Sequence, residues 1–162
     1  MDTVTVALTI AIVAGVAAIL YGLFLVQWVL RQPRGESRMI DIAQAIQEGA
    51  EAYMRRQYTL VAIVAVVITL LLGLLINWST AIGFVVGAAS SAAAGFIGMS
   101  VAVRSNVRTA EAAKSGLAPA LRVAFRGGTV TGLFVVGLGL LAVSVFYTIT
   151  RDVGPLVGLG FG

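Results

Sequence analysis

The sequence predicts an all-α membrane protein with four transmembrane helices. Apolar residues make up 59% of the chain and charged residues only 11%, and the mean hydropathy of +1.01 lies far above that of a soluble domain. The apolar residues form four long uncharged runs. The basic residues are confined almost entirely to two of the segments between these runs. Together these observations indicate a chain that crosses a membrane several times.

Each uncharged run is long enough to cross a bilayer once. The runs cover residues 3–30, 58–76, 81–103 and 127–150. A hydrocarbon core of about 30 Å requires about 20 helical residues. A cleaved signal peptide is the alternative for the first run, but no basic residue precedes it and it is longer than a signal-peptide core. We therefore predict four spans.

The basic residues predict the orientation of these spans. Ten of the eleven Lys and Arg residues lie in the connections at 31–57 and 104–126, whereas the start of the chain and the turn at 77–80 carry none. Lys and Arg resist translocation. Both long connections are therefore expected in the cytoplasm, and the N-terminus is expected outside.

The connection 31–57 has the pattern of an amphipathic helix. Apolar and small residues recur every three or four positions from Met39 to Tyr53, and a polar stripe lies opposite them. No helix breaker precedes the second run, so the helix is expected to continue into it and to project from the membrane. A helix lying flat among the headgroups is the alternative. Glu51 precedes Arg55 by four residues, which favours an ion pair along this helix.

The connection 104–126 predicts two short helices. One is expected at about 109–114 and to end before Gly116, and the other begins at Pro119 and continues to Arg126. Because each has its own start or stop signal, the two are expected to be separate elements.

The second of these helices is predicted to have a basic face and an apolar face. Arg122 and Arg126 share one side, where they are expected to meet lipid phosphates or protein carboxylates. Leu117, Leu121 and Phe125 recur every four residues and are expected to be buried. Pyrophosphate binding by the two arginines is a second interpretation, although the orientation rule alone explains their position.

Small residues recur every four positions along three of the runs, which is typical of closely packed membrane helices. These strips are Ala14, Ala18 and Gly22 in the first run, Gly83, Gly87, Ser91 and Gly95 in the third, and Gly128 with Gly132 in the fourth.

The residues themselves predict no catalytic, cofactor-binding or metal-binding site. The chain has no Cys and no His, which excludes thiolate and imidazole chemistry from this segment. No ionisable residue lies inside a span, where ion pumps carry their relays. The seven acidic residues form no dense cluster of the kind that Mg²⁺ chemistry on phosphates requires.

Several stretches resemble the N-terminal region of the membrane-bound, ion-pumping pyrophosphatases. They are EGAEAYMRRQY at 48–58, AAAGFIGMSVAVRSNVRTAEAA at 92–113, ALRVAFRGGTVTGLFVVGLGLL at 120–141 and the closing GLGFG at 158–162. The resemblance covers nearly the whole chain from Arg38 onward. Only the first span is weakly diagnostic.

The resemblance implies a homodimeric enzyme of about sixteen spans per subunit that couples Mg²⁺-dependent pyrophosphate hydrolysis to H⁺ or Na⁺ export. In that family the first four helices belong to an outer ring, and the catalytic residues and the determinants of ion choice and K⁺ dependence lie in later helices. No catalytic residue is therefore carried over to this chain. Its expected partners are the remaining helices of the pump, a second subunit and the bilayer, with pyrophosphate as substrate and without nucleic acid.

The 162 residues are expected to be the N-terminal part of such a pump in a prokaryotic cell membrane. Two alternatives remain open. The chain is a stand-alone four-span scaffold or assembly subunit without catalysis, or its oligomers form a small exporter or channel between glycine-rich faces. The uncharged span interiors argue against the last of these.

Overall fold

The computed structural model describes residues 2–162, which form five α-helices. They are α1 (Thr3–Leu30), α2 (Ser37–Leu75), α3 (Trp78–Ala113), α4 (Leu117–Thr150) and α5 (Gly154–Phe161). Helices α1 to α4 are each long and apolar enough to cross a membrane. The predicted fold class, an all-α protein with four transmembrane helices, is confirmed.

The amphipathic helix of the first connection continues into the second run, as predicted. Helix α2 has 39 residues, so it is about 58 Å long and exceeds the hydrocarbon core by far. The turn after it is shorter than expected, because α3 already begins at Trp78. The side chain of Asn77 caps this start by accepting a hydrogen bond from the Thr80 amide at 2.8 Å.

The two short helices predicted within 104–126 are not separate elements. The first is the end of α3 and the second is the beginning of α4. No breaker lies between Val103 and Ala113, and α4 runs on unbroken through Gly127 and Gly128. Residues 114–116 separate the two helices, and Gly116 ends this turn with φ of +117°.

Helices α3 and α4 occupy the middle of the bundle. Helix α1 packs mainly on α4, α5 packs mainly on α3, and α2 packs on α3 alone among the described helices. The core of buried side chains comes from three helices and comprises Leu25 and Val29 of α1, Ala94 and Val101 of α3, and Val130 and Phe134 of α4. The outer side of α2 therefore has no neighbour within residues 2–162.

The predicted small-residue strip of α3 forms close helix contacts. A methyl group added to Gly83 or Gly87 would meet the carbonyl oxygens of Pro155 and Leu159 in α5. One added to Gly95 would lie 2.6 Å from the Tyr58 hydroxyl of α2. The small residues let neighbouring backbones approach, which confirms the expected role of these three glycines.

The predicted strip of α4 makes no helix contact among the described residues. Within the described part of the chain, a methyl group on Gly128 or Gly132 would meet nothing within 4 Å. The contact with α1 is made instead by Gly137, where an added methyl would lie 3.1 Å from the carbonyl oxygen of Gly15. Because α4 carries several glycines on different sides, the sequence spacing did not indicate which side faces α1.

Candidate functional site

Ionisable side chains concentrate at one end of the bundle, which we call the basic end. It consists of residues 31–57 and 104–126 and holds ten of the eleven basic residues and five of the seven acidic ones. The structure shows which of these charges are paired within the fold and which remain exposed.

Arg108 is the buried cation of the basic end. Its residue surface is only 2% exposed. Its Nη2 donates a hydrogen bond of 3.0 Å to the carbonyl oxygen of Leu30, the last residue of α1, and its Nη1 donates to the Arg104 carbonyl. The last carbonyls of a helix have no partner within it. Arg108 thus caps α1 from the side of α3, a role that no sequence pattern distinguished from those of the other arginines.

A second link joins the start of α2 to the end of α3. The Lys114 ammonium lies 2.7 Å from a carboxylate oxygen of Glu36 and 2.9 Å from one of Glu111. Hydrogen bonding and charge from Lys114 hold the pKa of Glu36 below its usual range, and the bonds to Glu36 and then Glu111 raise the pKa of Lys114. Gly35 lies against this link with φ of +84°, and a methyl group there would meet the Glu111 carboxylate.

The ion pair predicted within α2 is replaced by one between helices. Glu51 lies 3.4 Å from the Arg104 guanidinium of α3 and forms no pair with Arg55 among the described residues. Arg104 also donates to the Ser100 carbonyl at 2.9 Å. The predicted Glu51–Arg55 pair is therefore wrong, because α3 offers Glu51 a cation across the helix contact.

An open groove of about 610 Å³ lies between α2 and α3, and we call it the α2–α3 groove. Its walls are apolar and include Met54, Tyr58, Phe96 and Val101. The rings of Tyr58 and Phe96 meet edge to face with centroids 6.2 Å apart. Arg55, Glu51 and Arg104 lie at the basic end of this groove.

The two faces predicted for the start of α4 differ from those observed. Leu117, Leu121 and Phe125 are exposed rather than buried, with Phe125 at 72%. The buried side consists of Ala120, Val123 and Gly127, because small residues let α4 approach α3 closely.

The arginines of this segment have different surroundings. The guanidinium of Arg126 stacks on the indole of Trp28 in α1, 3.9 Å from the ring centroid. Arg122 is exposed, and no carboxylate pairs with it within residues 2–162. The expectation of a carboxylate partner is thus not met by the described residues, and Arg126 stabilises the contact between α1 and α4.

The described residues do not supply a carboxylate site for Mg²⁺. Across residues 2–162, no three Asp, Glu, His or Cys side chains come close enough together to hold a metal ion. This arrangement links helix ends and leaves some guanidinium groups exposed.

The fold and the basic end define a polytopic α-helical membrane protein whose charges are gathered outside its spans. Residues 16–162 match the profile of the family described as inorganic H⁺ pyrophosphatase, and the chain belongs to this family. The predicted resemblance is confirmed.

Curated relatives support the same assignment. A K⁺-insensitive pyrophosphate-energized proton pump of Methanosarcina mazei is 50% identical over 92% of this chain and 22% of its own length. A second pump of that description from Moorella thermoacetica is 45% identical over 91% of the chain and 23% of its own length. A K⁺-stimulated pyrophosphate-energized sodium pump of Thermotoga maritima is 42% identical over 75% of the chain and 17% of its own length. The chain spans about a fifth of the relatives that it matches.

Proposed function

We propose that this chain is the N-terminal, outer-ring part of a membrane pump that couples pyrophosphate hydrolysis to translocation of H⁺ or Na⁺. The observation that carries the proposal is the family match over residues 16–162, together with relatives whose names describe pyrophosphate-energized pumps. In the proposed pump, the hydrolytic site, its Mg²⁺ and any K⁺ site belong to other helices. The whole enzyme is expected to be a homodimer in a prokaryotic cell membrane.

The proposed role of this part is to position the helices that follow it. Helix α5 touches α3 through backbone atoms at Gly83 and Gly87, with no long side chains between them. Such contacts keep α5 from sliding along α3, because the two backbones are closely packed and an added side chain would not fit between them. A helix that continues from α5 would thus have a fixed starting position.

The proposed orientation places the basic end in the cytoplasm and the N-terminus outside. Ser115 lies in the connection between α3 and α4 at the basic end, and Ser79 lies near the α2–α3 turn at the opposite end. Because this segment has no Cys, a single cysteine at either position reports its side of the membrane. In intact cells a membrane-impermeant maleimide is expected to label Ser79→Cys and not Ser115→Cys, and the reverse pattern would contradict the orientation.

A chimera tests the proposed function. Residues 16–162 would replace the corresponding region of the Methanosarcina mazei pump, and inverted membrane vesicles would be assayed for pyrophosphate hydrolysis and for H⁺ uptake. Both activities are expected to survive, because the segment supplies the same packing surfaces. A matched chimera with Gly87→Leu, which forces α3 and α5 apart, is expected to lose both. A correctly assembled chimera without pyrophosphate hydrolysis would refute the proposal.

A further inference from the structure

The α2–α3 groove contains a cation that the fold does not use. Arg55 is exposed at the end of the groove, and no carboxylate of residues 2–162 lies within ion-pair distance of it. Arg104 lies nearby, where it donates a hydrogen bond to the Ser100 carbonyl and pairs with Glu51 at 3.4 Å. Two guanidinium groups and one carboxylate thus leave a positive charge at this end of the groove.

The position of these arginines corresponds to a membrane surface. Helix α2 carries no charged residue from Gln57 to Leu75, and α3 carries none from Trp78 to Val103. Arg104 is the first charge after the uncharged stretch of α3, and Arg55 and Arg56 are the last charges before that of α2. Charges that border a span lie at the depth of the lipid headgroups.

The remainder of the groove is apolar and open. Phe96 is 52% exposed, and Met54, Tyr58 and Val101 continue the apolar wall towards the uncharged stretches. The volume of about 610 Å³ lies within the range of small-molecule clefts. Leu30, the last residue of α1, also lines the groove, and apart from α1, α2 and α3 no described helix borders it.

We infer that the α2–α3 groove binds an anionic phospholipid, with its phosphate at Arg55 and Arg104 and an acyl chain along Phe96 and Val101. Basic pockets between membrane helices bind anionic headgroups in this way. A soluble phosphate would make no use of the apolar walls, and an apolar helix would leave the guanidinium group of Arg55 without a partner. The inference requires only that the chain lies in a membrane, and it is independent of pyrophosphate hydrolysis.

Native mass spectrometry of the full-length protein that carries this segment tests the inference. The purified protein would be titrated with phosphatidylglycerol and, separately, with phosphatidylcholine. One tightly retained phosphatidylglycerol per subunit is expected, with phosphatidylcholine bound more weakly. Equal binding of the two lipids would overturn the inference, as would displacement of phosphatidylglycerol by millimolar inorganic phosphate.

Four single variants and one double variant locate the site. Arg55→Gln and Arg104→Gln are each expected to weaken phosphatidylglycerol binding about fivefold, and the double variant about thirtyfold. Arg122→Gln removes the same charge from an exposed position away from the groove and should leave binding unchanged. Glu51→Gln frees Arg104 and should strengthen binding.

The variants also distinguish the lipid from other occupants. If another helix of the protein fills the groove, Arg55→Gln has no effect on lipid binding and the inference fails. If Arg122→Gln weakens binding as much as Arg55→Gln, the effect is one of general surface charge and the inference also fails. An unchanged oligomer mass in the same spectra shows that each variant is assembled, and hydrolysis is not used as a readout.

Discussion

The contact between α3 and α5 offers a direct test of the packing argument. Gly87→Ala places a methyl group against the carbonyl oxygen of Leu159, and 3.1 Å from the carbon of that carbonyl. Ordinary van der Waals contact begins at 3.4 Å and the carbonyl oxygen lies nearer than its carbon, so α5 must move away from α3. These are backbone atoms, which cannot rotate away. Overpacking of this kind costs about 1–3 kcal/mol.

The matched control is Gly132→Ala, where the described residues leave open space. Both substitutions gain the same helix propensity, about 1 kcal/mol relative to glycine, so their difference reports the packing cost alone. That difference corresponds to about a 5- to 150-fold change in a local opening equilibrium.

Hydrogen exchange measured by mass spectrometry in nanodiscs reports the local opening equilibrium of the amides of residues 154–161. These amides are expected to exchange about 5 to 150 times faster in Gly87→Ala than in Gly132→Ala. Equal protection of α5 in the two variants would show that α5 does not rest on Gly87, and the proposed positioning role of this segment would lose its structural basis.

Three further changes probe the basic end. Gly35→Ala combines a strained positive φ with a contact on the Glu111 carboxylate and is expected to lower the melting temperature, at a cost of about 1–3 kcal/mol. Lys114→Met removes the partner that lowers the pKa of Glu36. The ion pair therefore stabilises the wild type slightly at pH values above the usual carboxyl pKa, and this stabilisation disappears as the pH falls through the lowered pKa of Glu36. The melting temperatures of Lys114→Met and wild type should converge in acid. Arg126→Gln removes the cation over Trp28 and should cost about 0.5–2 kcal/mol in thermal unfolding, and no loss would refute this contact.

Helix contacts at the basic end explain why its charges are arranged as they are. Arg108 donates a hydrogen bond to the last carbonyl of α1, and Lys114 links the start of α2 to the end of α3. Exposed ion pairs contribute little to stability, whereas a buried guanidinium bonded to carbonyls contributes more. Arg108 thus ties the end of α1 to α3 through a buried hydrogen bond.

The class of fold follows from the sequence alone. Runs of about 20 uncharged residues leave no other stable state for the backbone in lipid than a helix, because every amide must find its partner within the segment. The amphipathic pattern from Met39 to Tyr53, with no breaker after it, also determined that α2 is continuous. The family could be recognised from long matching stretches, which required no knowledge of contacts.

Only the tertiary structure decided which faces meet. Leu117, Leu121 and Phe125 have the spacing of a buried stripe, but α4 turns its small residues towards α3. Glu51 has Arg55 four residues away on its own helix but pairs with Arg104 of α3. The physical reasons lie in contacts between elements that are distant in sequence. Close backbone approach of α4 to α3 decides the first case, and a cation on the neighbouring helix decides the second.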